Sequence, residues 1–550
     1  MLKIKRLLLE SPPASLHIIG AIYLLPSLLL YFVSEDLNFA ILLEGYTFFE
    51  SLRNIWFPSA EFLNEGGLFR PVVSTINLID YFLWDTNAFG YHLTNALVHL
   101  VNIQLVYQFS LRIFKRADIS FLCSIIFLFH PILANSVYWI SGRTDMVACS
   151  FYLLSLIMTG KYLEDQDIKY FILSQVLLFG ALLSKEISIT LPLAQAWMIW
   201  HYKHESSQHI SSRLLFIRYI AYSALVVVLF LSYRLFIFGQ NPFTIDSIYN
   251  IGGFYHFFIN AVKIVSFLVV PFGHQSFEML VYDYKLYLIV VLIPIVIRVI
   301  MIIYQHRKEL LNDIMLSSLI LISVLPLFKL AMRWYMYIPA VFFSIFLAHI
   351  TYSMWNRGDI SRALVSIYLS LNIYGGLSSY KIWLDNSRLN RVLVTKLVDK
   401  IEKETTADMF VILNFPAKIN RTATFVAGFE ELIHLKVSDK DKTVLRPVNI
   451  VHQSSMFPTD INQQGDNIVI NACEASSYCL VGTNRQRFGL EKLAAGDSIK
   501  TSVADIHIEK VNETGQAVRV TLSMHPWFEK NSTLYLYFNE SKNDYEEYVF

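Results

Sequence analysis

Runs of apolar side chains long enough to cross a hydrocarbon layer recur through the first 380 residues, and they constrain this chain more than any other feature. Such a layer is about 30 Å thick and a helix rises about 1.5 Å per residue, so a crossing takes about 20 residues. No water is available there to bond a peptide group, so each run must satisfy its own backbone and reads as a helix. Eleven spans are expected, near residues 15–33, 90–111, 119–136, 146–162, 170–184, 187–202, 214–237, 285–304, 313–330, 337–355 and 362–381. With 55% hydrophobic and only 16% charged residues among 550, the chain reads as a polytopic α-helical membrane protein. Its 45 basic and 44 acidic residues leave a formal charge of +1, which points to no nucleic-acid partner.

Basic residues orient the spans. Lys3, Lys5 and Arg6 precede the first run and no small-residue cleavage site follows it, so an uncleaved helix starting in the cytoplasm is expected. Arg112, Lys115 and Arg116, then Lys203 with Arg213, then Arg307-Lys308 and Arg357 to Arg362, fall in loops expected inside. His256 to Phe272 is apolar, but a crossing there would put Arg307-Lys308 outside, so it reads as a re-entrant or interfacial element. Eleven crossings leave the C-terminus outside, with domains at 1–384, including a first outer loop at 34–89, and 385–550. The tail turns polar from about Asn386 and carries a helical run at 391–403. Period-two segments at 409–414, 517–522 and 533–538 then predict a β-rich (α+β) extracytoplasmic domain. Sequons at Asn420, Asn512, Asn531 and Asn539 suit that side of the membrane. Cys473 and Cys479 either close a small disulfide there or stay free, Cys123 and Cys149 lie in apolar runs, and no four-ligand zinc pattern occurs.

Glu35 and Asp36 stand where the first apolar run stops. Carboxylates beside a bilayer either mark where lipid ends or face a polar site. The same topology gathers Arg70, Arg143, Asp145, Lys185, Glu186 and Arg333 at the outer face, where one cavity could hold them. Acidic and basic groups together there suit chemistry on an anionic lipid. Cations stabilise a departing phosphate, and a carboxylate accepts the proton of an incoming hydroxyl. The plainer readings are snorkelling for Arg70 and local charge pairing for Arg143 with Asp145 and Lys185 with Glu186.

Leu128-Phe-His-Pro through Gly142-Arg-Thr-Asp145 resembles the His-Pro to Gly-Arg-x-Asp stretch of the GT-C membrane glycosyltransferases, in particular their TMTC-like and protein O-mannosyltransferase-like branch. Phe69-Arg-Pro71 resembles the Tyr-Arg-Pro element of that superfamily, and Phe89 to His99 its second helix. Ser184-Lys-Glu to Pro192 resembles its Lys-Glu segment, and Arg333 to Pro339 its Arg-Tyr-x-Tyr-x-Pro segment. The resemblance implies a GT-C-like helical bundle and an inverting transferase that uses a polyprenyl-phosphate sugar donor and a glycan or protein acceptor. It also implies an acidic residue of the first outer loop as base, expected as Asp36 with Glu35 as helper. By the same analogy Arg143, Lys185, Arg333 and then Arg70 meet the donor phosphate, while His130, Asp145, Glu186, Tyr335 and Tyr337 line the cavity. His130 before Pro131 reads equally well as a bonded histidine bracing a kink. A divalent cation is left open as a helper that basic residues can replace, and no metal ligands are assigned. Rival functions are a polyprenyl-linked glycan transporter and a non-catalytic scaffold. The bacterial inner membrane is the expected location, with the endoplasmic reticulum as the alternative.

Overall fold

The computed structural model describes residues 12–34, 36–41, 43–58, 69–205, 212–238, 254–271, 310–355, 358–412, 416–419, 422–423, 429–438, 441–445, 450–451, 460–464, 467–471, 494–500, 504–511, 517–524, 533–539 and 542–547. It divides into two compact units. Met1–Leu28, Phe48–Leu83 and Phe89–Lys381 form the first; Leu29–Thr47, Trp84–Ala88 and Ile382–Phe550 form the second. Glu35, the expected span at 285–304, Cys473, Cys479, Asn420, Asn512 and Asn531 lie outside the described residues.

The first unit is helical: α1 (Pro12–Leu24), α2 (Phe48–Trp56), α3 (Pro71–Trp84), α4 (Ala88–Phe114), α5 (Ala117–Phe129), α6 (Arg143–Asp165), α7 (Ile168–Leu182), α8 (Leu191–Glu205), α9 (Ser212–Phe238), α10 (Phe254–Val269), α11 (Leu310–Val324), α12 (Tyr337–Trp355) and the first part of α13 (Asp359–Lys403). Among the described residues, five helices are long and apolar enough to cross a membrane, or six if the bent pair Ala117–Phe129 and Pro131–Val137 is one span. The expected count of eleven is not confirmed among the described residues. The runs at 170–184, 187–202 and 313–330 fold as α-helices of 15 residues, about 22 Å long. The second and third of these are extended by the 3-10 turns Glu186–Thr190 and Leu325–Phe328. The element expected at 256–272 is the 16-residue α10.

Polar side chains bind the apolar helices to one another, as they must where lipid is no worse a neighbour than leucine. The Ser155 hydroxyl donates to the Ser174 carbonyl (2.8 Å), joining α6 to α7. The Tyr219 hydroxyl of α9 sits between those of Thr159 (2.7 Å) and Ser174 (2.6 Å). Gln195 of α8 donates its amide to Ser155 (2.9 Å). The α6–α7 turn is closed by Gln166 in the left-handed region (φ 54°) and by Asp167, whose carboxylate accepts the Lys169 backbone N–H (2.9 Å).

Pro131 has no N–H to give and its ring clashes with a preceding turn, so α5 stops at Phe129 and the chain bends by 48°. His130 braces the bend. Its Nδ1 accepts the Ile132 N–H (3.3 Å) and its Nε2 lies 2.9 Å from the Leu268 carbonyl. Gly375 of α13 packs at the same place: a Cβ there would stand 2.4 Å from the Pro271 carbonyl oxygen and 2.7 Å from the Pro131 ring.

In the second unit the remainder of α13 leads into the sheets. The polar run expected to be helical at 391–403 is helical and is continuous with the last expected span, in a single helix of 45 residues. β1 (Met409–Ile412) runs parallel to β11 (Thr533–Asn539) and β4 (Thr443–Leu445), and β12 (Asp544–Glu547) adds antiparallel to β11. All four β1 residues are buried, as for a parallel strand covered on both faces. α14 (Phe429–Lys436) buries Phe429, Leu432 and Ile433. A five-stranded antiparallel sheet has the order β6 (Asp460–Gln464), β7 (Asn467–Asn471), β10 (Ala517–Met524), β9 (Ala504–Val511), β8 (Ser498–Lys500). Val518, Val520 and Leu522 of β10 are buried while Arg519, Thr521 and Ser523 are half-buried, the period-two pattern of a sheet with one apolar face. A small sheet joins β2 (Pro416–Ile419), β3 (Thr422–Ala423) and β5 (Ile450–Val451).

Gly375→Val is expected to lower stability by about 1–3 kcal/mol, because backbone carbonyl and proline ring must both move to admit the side chain. Thermal unfolding of the detergent-solubilised protein measures it.

Candidate active site

The ion pairs of the first unit include two assemblies built around buried cations. One is built around Arg143, which is fully buried at the start of α6. Its Nε donates to the Asn95 side-chain oxygen (2.7 Å), Nη1 to that of Asn77 (2.8 Å) and Nη2 to the Tyr91 carbonyl (2.8 Å), while Asp80 pairs with Nη2 at 2.7 Å. Asn77 and Asp80 are three apart on α3 and share a face, and Tyr91 and Asn95 are four apart on α4. The other Asp80 oxygen accepts from Thr94 (2.7 Å). Asn95 also donates to the Val137 and Trp139 carbonyls (3.3 and 3.1 Å), satisfying a stretch that forms no regular ladder. Gly142 is required in that stretch: a Cβ would lie 2.7 Å from the Cα and carbonyl oxygen of Ser136. The Gly-Arg-x-Asp element is thus a tight turn locked by its arginine, with Asp145 in the same first turn of α6.

The second assembly joins Arg70, Glu186 and Arg234 to Lys185 and Asp145. Pro71 opens α3, a position that costs it no hydrogen bond, and so places Arg70 just ahead of the helix. Arg70 donates Nε (3.2 Å) and Nη2 (2.9 Å) to one oxygen of Glu186, and Arg234 Nη1 reaches the other oxygen at 3.2 Å. Lys185, extended in the turn after α7, bonds to the Asp145 carboxylate. Its ammonium lies 3.4 Å from the Thr144 hydroxyl and 4.4 Å from the centre of the Tyr335 ring. Three cations face two carboxylates. The Lys185–Asp145 pair is almost wholly buried, whereas the Arg70 and Glu186 side chains keep 17% and 29% exposure, so the positive excess meets solvent on that side.

The charges act on one another. Burial pulls the Lys185 ammonium down from 10.5 to about 8, with Arg70 adding to the fall and Asp145 opposing it. Burial alone would raise Glu186, but the Arg70 guanidinium overrides it and holds the carboxyl down to about 2. Burial likewise works against the Arg70 charge, and Glu186 more than offsets it, leaving the guanidinium firmly protonated.

Of the residues singled out in the sequence, Arg70, Asp145, Lys185, Glu186 and Tyr335 come together. Arg333 opens the 3-10 turn Arg333–Met336 that carries Tyr335. Tyr337 is buried deeper in the bundle, its hydroxyl 2.6 Å from His99 Nδ1 and accepting from Asn102 (3.2 Å). His130 sits at the bend described above. Asp36 belongs to the second unit; it is buried, and its Oδ2 accepts the Val33 N–H at 2.9 Å. Sequence reasoning missed Arg234 and Asp80. The signal was there, since each is an ionisable residue inside an apolar stretch, Tyr-Arg-Leu-Phe and Leu-Ile-Asp-Tyr. Among the described residues no group of three or more His, Cys, Asp or Glu side chains could hold a metal ion.

Asp80→Ala is expected to destabilise the protein by about 3–5 kcal/mol, because it strands a buried guanidinium. Asp80→Leu combined with Arg143→Met should recover most of that loss; thermal unfolding of both variants is the check.

Residues 71–233 match the family described as dolichyl-phosphate-mannose-protein mannosyltransferase. Protein O-mannosyl-transferase F38B6.6 of Caenorhabditis elegans is 30% identical over 146 residues, which is 26% of this chain and 20% of the relative. Protein O-mannosyl-transferase TMTC1 of Homo sapiens is 30% identical over 133 residues, 22% of this chain and 15% of the relative. The matched region therefore spans a fifth or less of these relatives' length. Among solved structures, ArnT from Cupriavidus metallidurans is 12% identical both with undecaprenyl phosphate bound (TM-score 0.41; 80% of this chain, 92% of that one) and in the apo state (TM-score 0.46; 79% and 85%). The family match and the O-mannosyltransferase relatives bear out the resemblance to GT-C membrane glycosyltransferases read from the sequence.

Proposed function

We propose that the protein is an inverting glycosyltransferase of a membrane, moving a sugar from a polyprenyl-phosphate donor to a hydroxyl of an extracytoplasmic glycan or protein. The observation that carries this reading is the second ionic assembly. Arg70, Arg234 and Lys185, from three distant parts of the chain, outnumber the carboxylates of Glu186 and Asp145, and of the three cations Arg70 is partly exposed. A planar guanidinium fork meets phosphate oxygens in pairs, and a fixed positive excess stabilises the charge that gathers on a departing phosphate. The family match over residues 71–233 supports the same chemistry, and apolar helices support a multi-pass membrane protein.

In the reaction, the acceptor hydroxyl gives its proton to Asp36 while its oxygen attacks the anomeric carbon of the sugar. The bond from that carbon to the phosphate oxygen breaks with its electron pair, and polyprenyl phosphate departs. One displacement inverts the anomeric centre. Glu35 assists the base, and Lys185, Arg70 and Arg333 hold the phosphate, with Asp145 and Glu186 fixing the cations and Tyr335 backing Lys185. Arg143 contributes by locking the turn that carries Asp145, since Nε and both terminal nitrogens have partners within the bundle. His130 and Tyr337 brace the helices around it. The setting is a bacterial inner membrane with the C-terminal domain in the periplasm.

Asp36→Asn should cut transfer by about 10²- to 10⁴-fold in a folded protein, because the amide oxygen can still accept the Val33 N–H but cannot take a proton. The check is mass spectrometry of lipid-linked sugars and glycans from cells making either form: donor lipid should accumulate in the variant, and undiminished product would sink the reading. The donor kcat/KM, which reports the free enzyme, should fall as pH rises past about 8, because Lys185 binds phosphate only while protonated. Lys185→Arg should remove that alkaline limb, since a guanidinium keeps its proton over the whole range of the assay.

A further inference from the structure

The segment that leads to Asp36 is held by one face of α13. Residues 30–33 follow the 3-10 turn Leu25–Leu29 in no regular secondary structure, although Leu30, Phe32 and Val33 are each only 1% exposed. Buried backbone of that kind must find its hydrogen bonds elsewhere. Arg391 donates to the Leu29 carbonyl (3.1 Å), the Ser387 hydroxyl accepts the Tyr31 N–H (2.5 Å) and Asn390 donates to the Phe32 carbonyl (3.3 Å). The next N–H, that of Val33, goes to Asp36 itself. Ser387, Asn390 and Arg391 stand at i, i+3 and i+4, one face of a helix. Ser387 and Asn390 are buried, and the Arg391 guanidinium also lies over the Tyr31 ring, 5.4 Å from its centre. Beyond the carboxylate the same loop is tied down again, by Glu44 pairing with His434 of α14 at 3.3 Å.

We infer that Ser387, Asn390 and Arg391 are positioning residues for Asp36, so that the domain after the last span sets the place of the base and is part of the catalytic machinery. The inference rests on the reading of Asp36 as base. Three side-chain bonds to successive parts of one strand of backbone fix where that strand ends, and its end is the turn closed by the Asp36 carboxylate. A base displaced by about 1 Å can cost up to about 100-fold in rate while leaving a separately built phosphate site intact.

The test compares full-length wild type with Ser387→Ala, Asn390→Leu, Ser387→Thr and Asp36→Asn in two assays. Binding of undecaprenyl phosphate is followed by native mass spectrometry in nanodiscs, and glycan product is measured per mole of protein in cells. Ser387→Ala and Asn390→Leu should bind the lipid phosphate as wild type does and form about 10- to 100-fold less product. Ser387→Thr keeps the accepting hydroxyl and should restore output. Normal output from Ser387→Ala and Asn390→Leu beside an inactive Asp36→Asn would overturn the positioning role and spare the base assignment. Joint loss of lipid binding and product would overturn it too, since a purely structural role predicts that pattern. An active Asp36→Asn would remove the base assignment and this inference with it.

Discussion

A guanidinium buried to zero exposure has to be surrounded before a bundle can close on it, and Arg143 is surrounded from two helices at once. Asp80 and Asn77 come from α3, Asn95 and the Tyr91 carbonyl from α4, and together they give every kind of nitrogen on the side chain a partner. Burying charge is costly and is recovered only with such completeness. The consequence is geometric. Because the arginine opens α6, satisfying it fixes the first turn of that helix and hence Asp145, and through Asp145 the ammonium of Lys185.

From there the charges form a graded series. The deepest pair, Lys185 with Asp145, lies beside the Tyr335 ring; in the next, Arg234 is buried while Arg70 and Glu186 are partly exposed. The buried pair keeps its geometry without help from solvent, whereas Arg70 and Glu186 keep 17% and 29% of their side chains exposed. A bilayer around such a bundle forbids scattered charges, which is why ionisable groups so far apart in the chain are found in company.

Much of this was legible in the sequence. Lys185-Glu186, Asp145 and Arg70 stood out because each interrupts or borders an apolar run, and the strands at 409–412, 517–524 and 533–539 followed from alternation. What escaped did so for physical reasons. Arg234 and Asp80 are single charges inside apolar stretches, and a hydropathy pattern averages over them. The hydrogen-bond partners of Tyr337 and His130, namely His99, Asn102 and the Leu268 carbonyl, lie up to 238 positions away and no local pattern reveals them, although His130 beside Pro131 already suited a brace at a kink. The boundary drawn near Asn386 followed a change in side-chain polarity. The backbone of α13 is indifferent to that change, since its bonds are internal whichever medium surrounds it.

The bonds from α13 to Leu29, Tyr31 and Phe32 span 362, 356 and 358 positions. At the usual pace of synthesis, about 5–20 residues per second, the early segment waits roughly 20–70 seconds for the helix that will receive it. Throughout that interval the Leu29 carbonyl, the Tyr31 N–H and the Phe32 carbonyl lack these partners from α13. Those three bonds are therefore among the last this early segment can make, and only a chain synthesised through residue 391 can make them all.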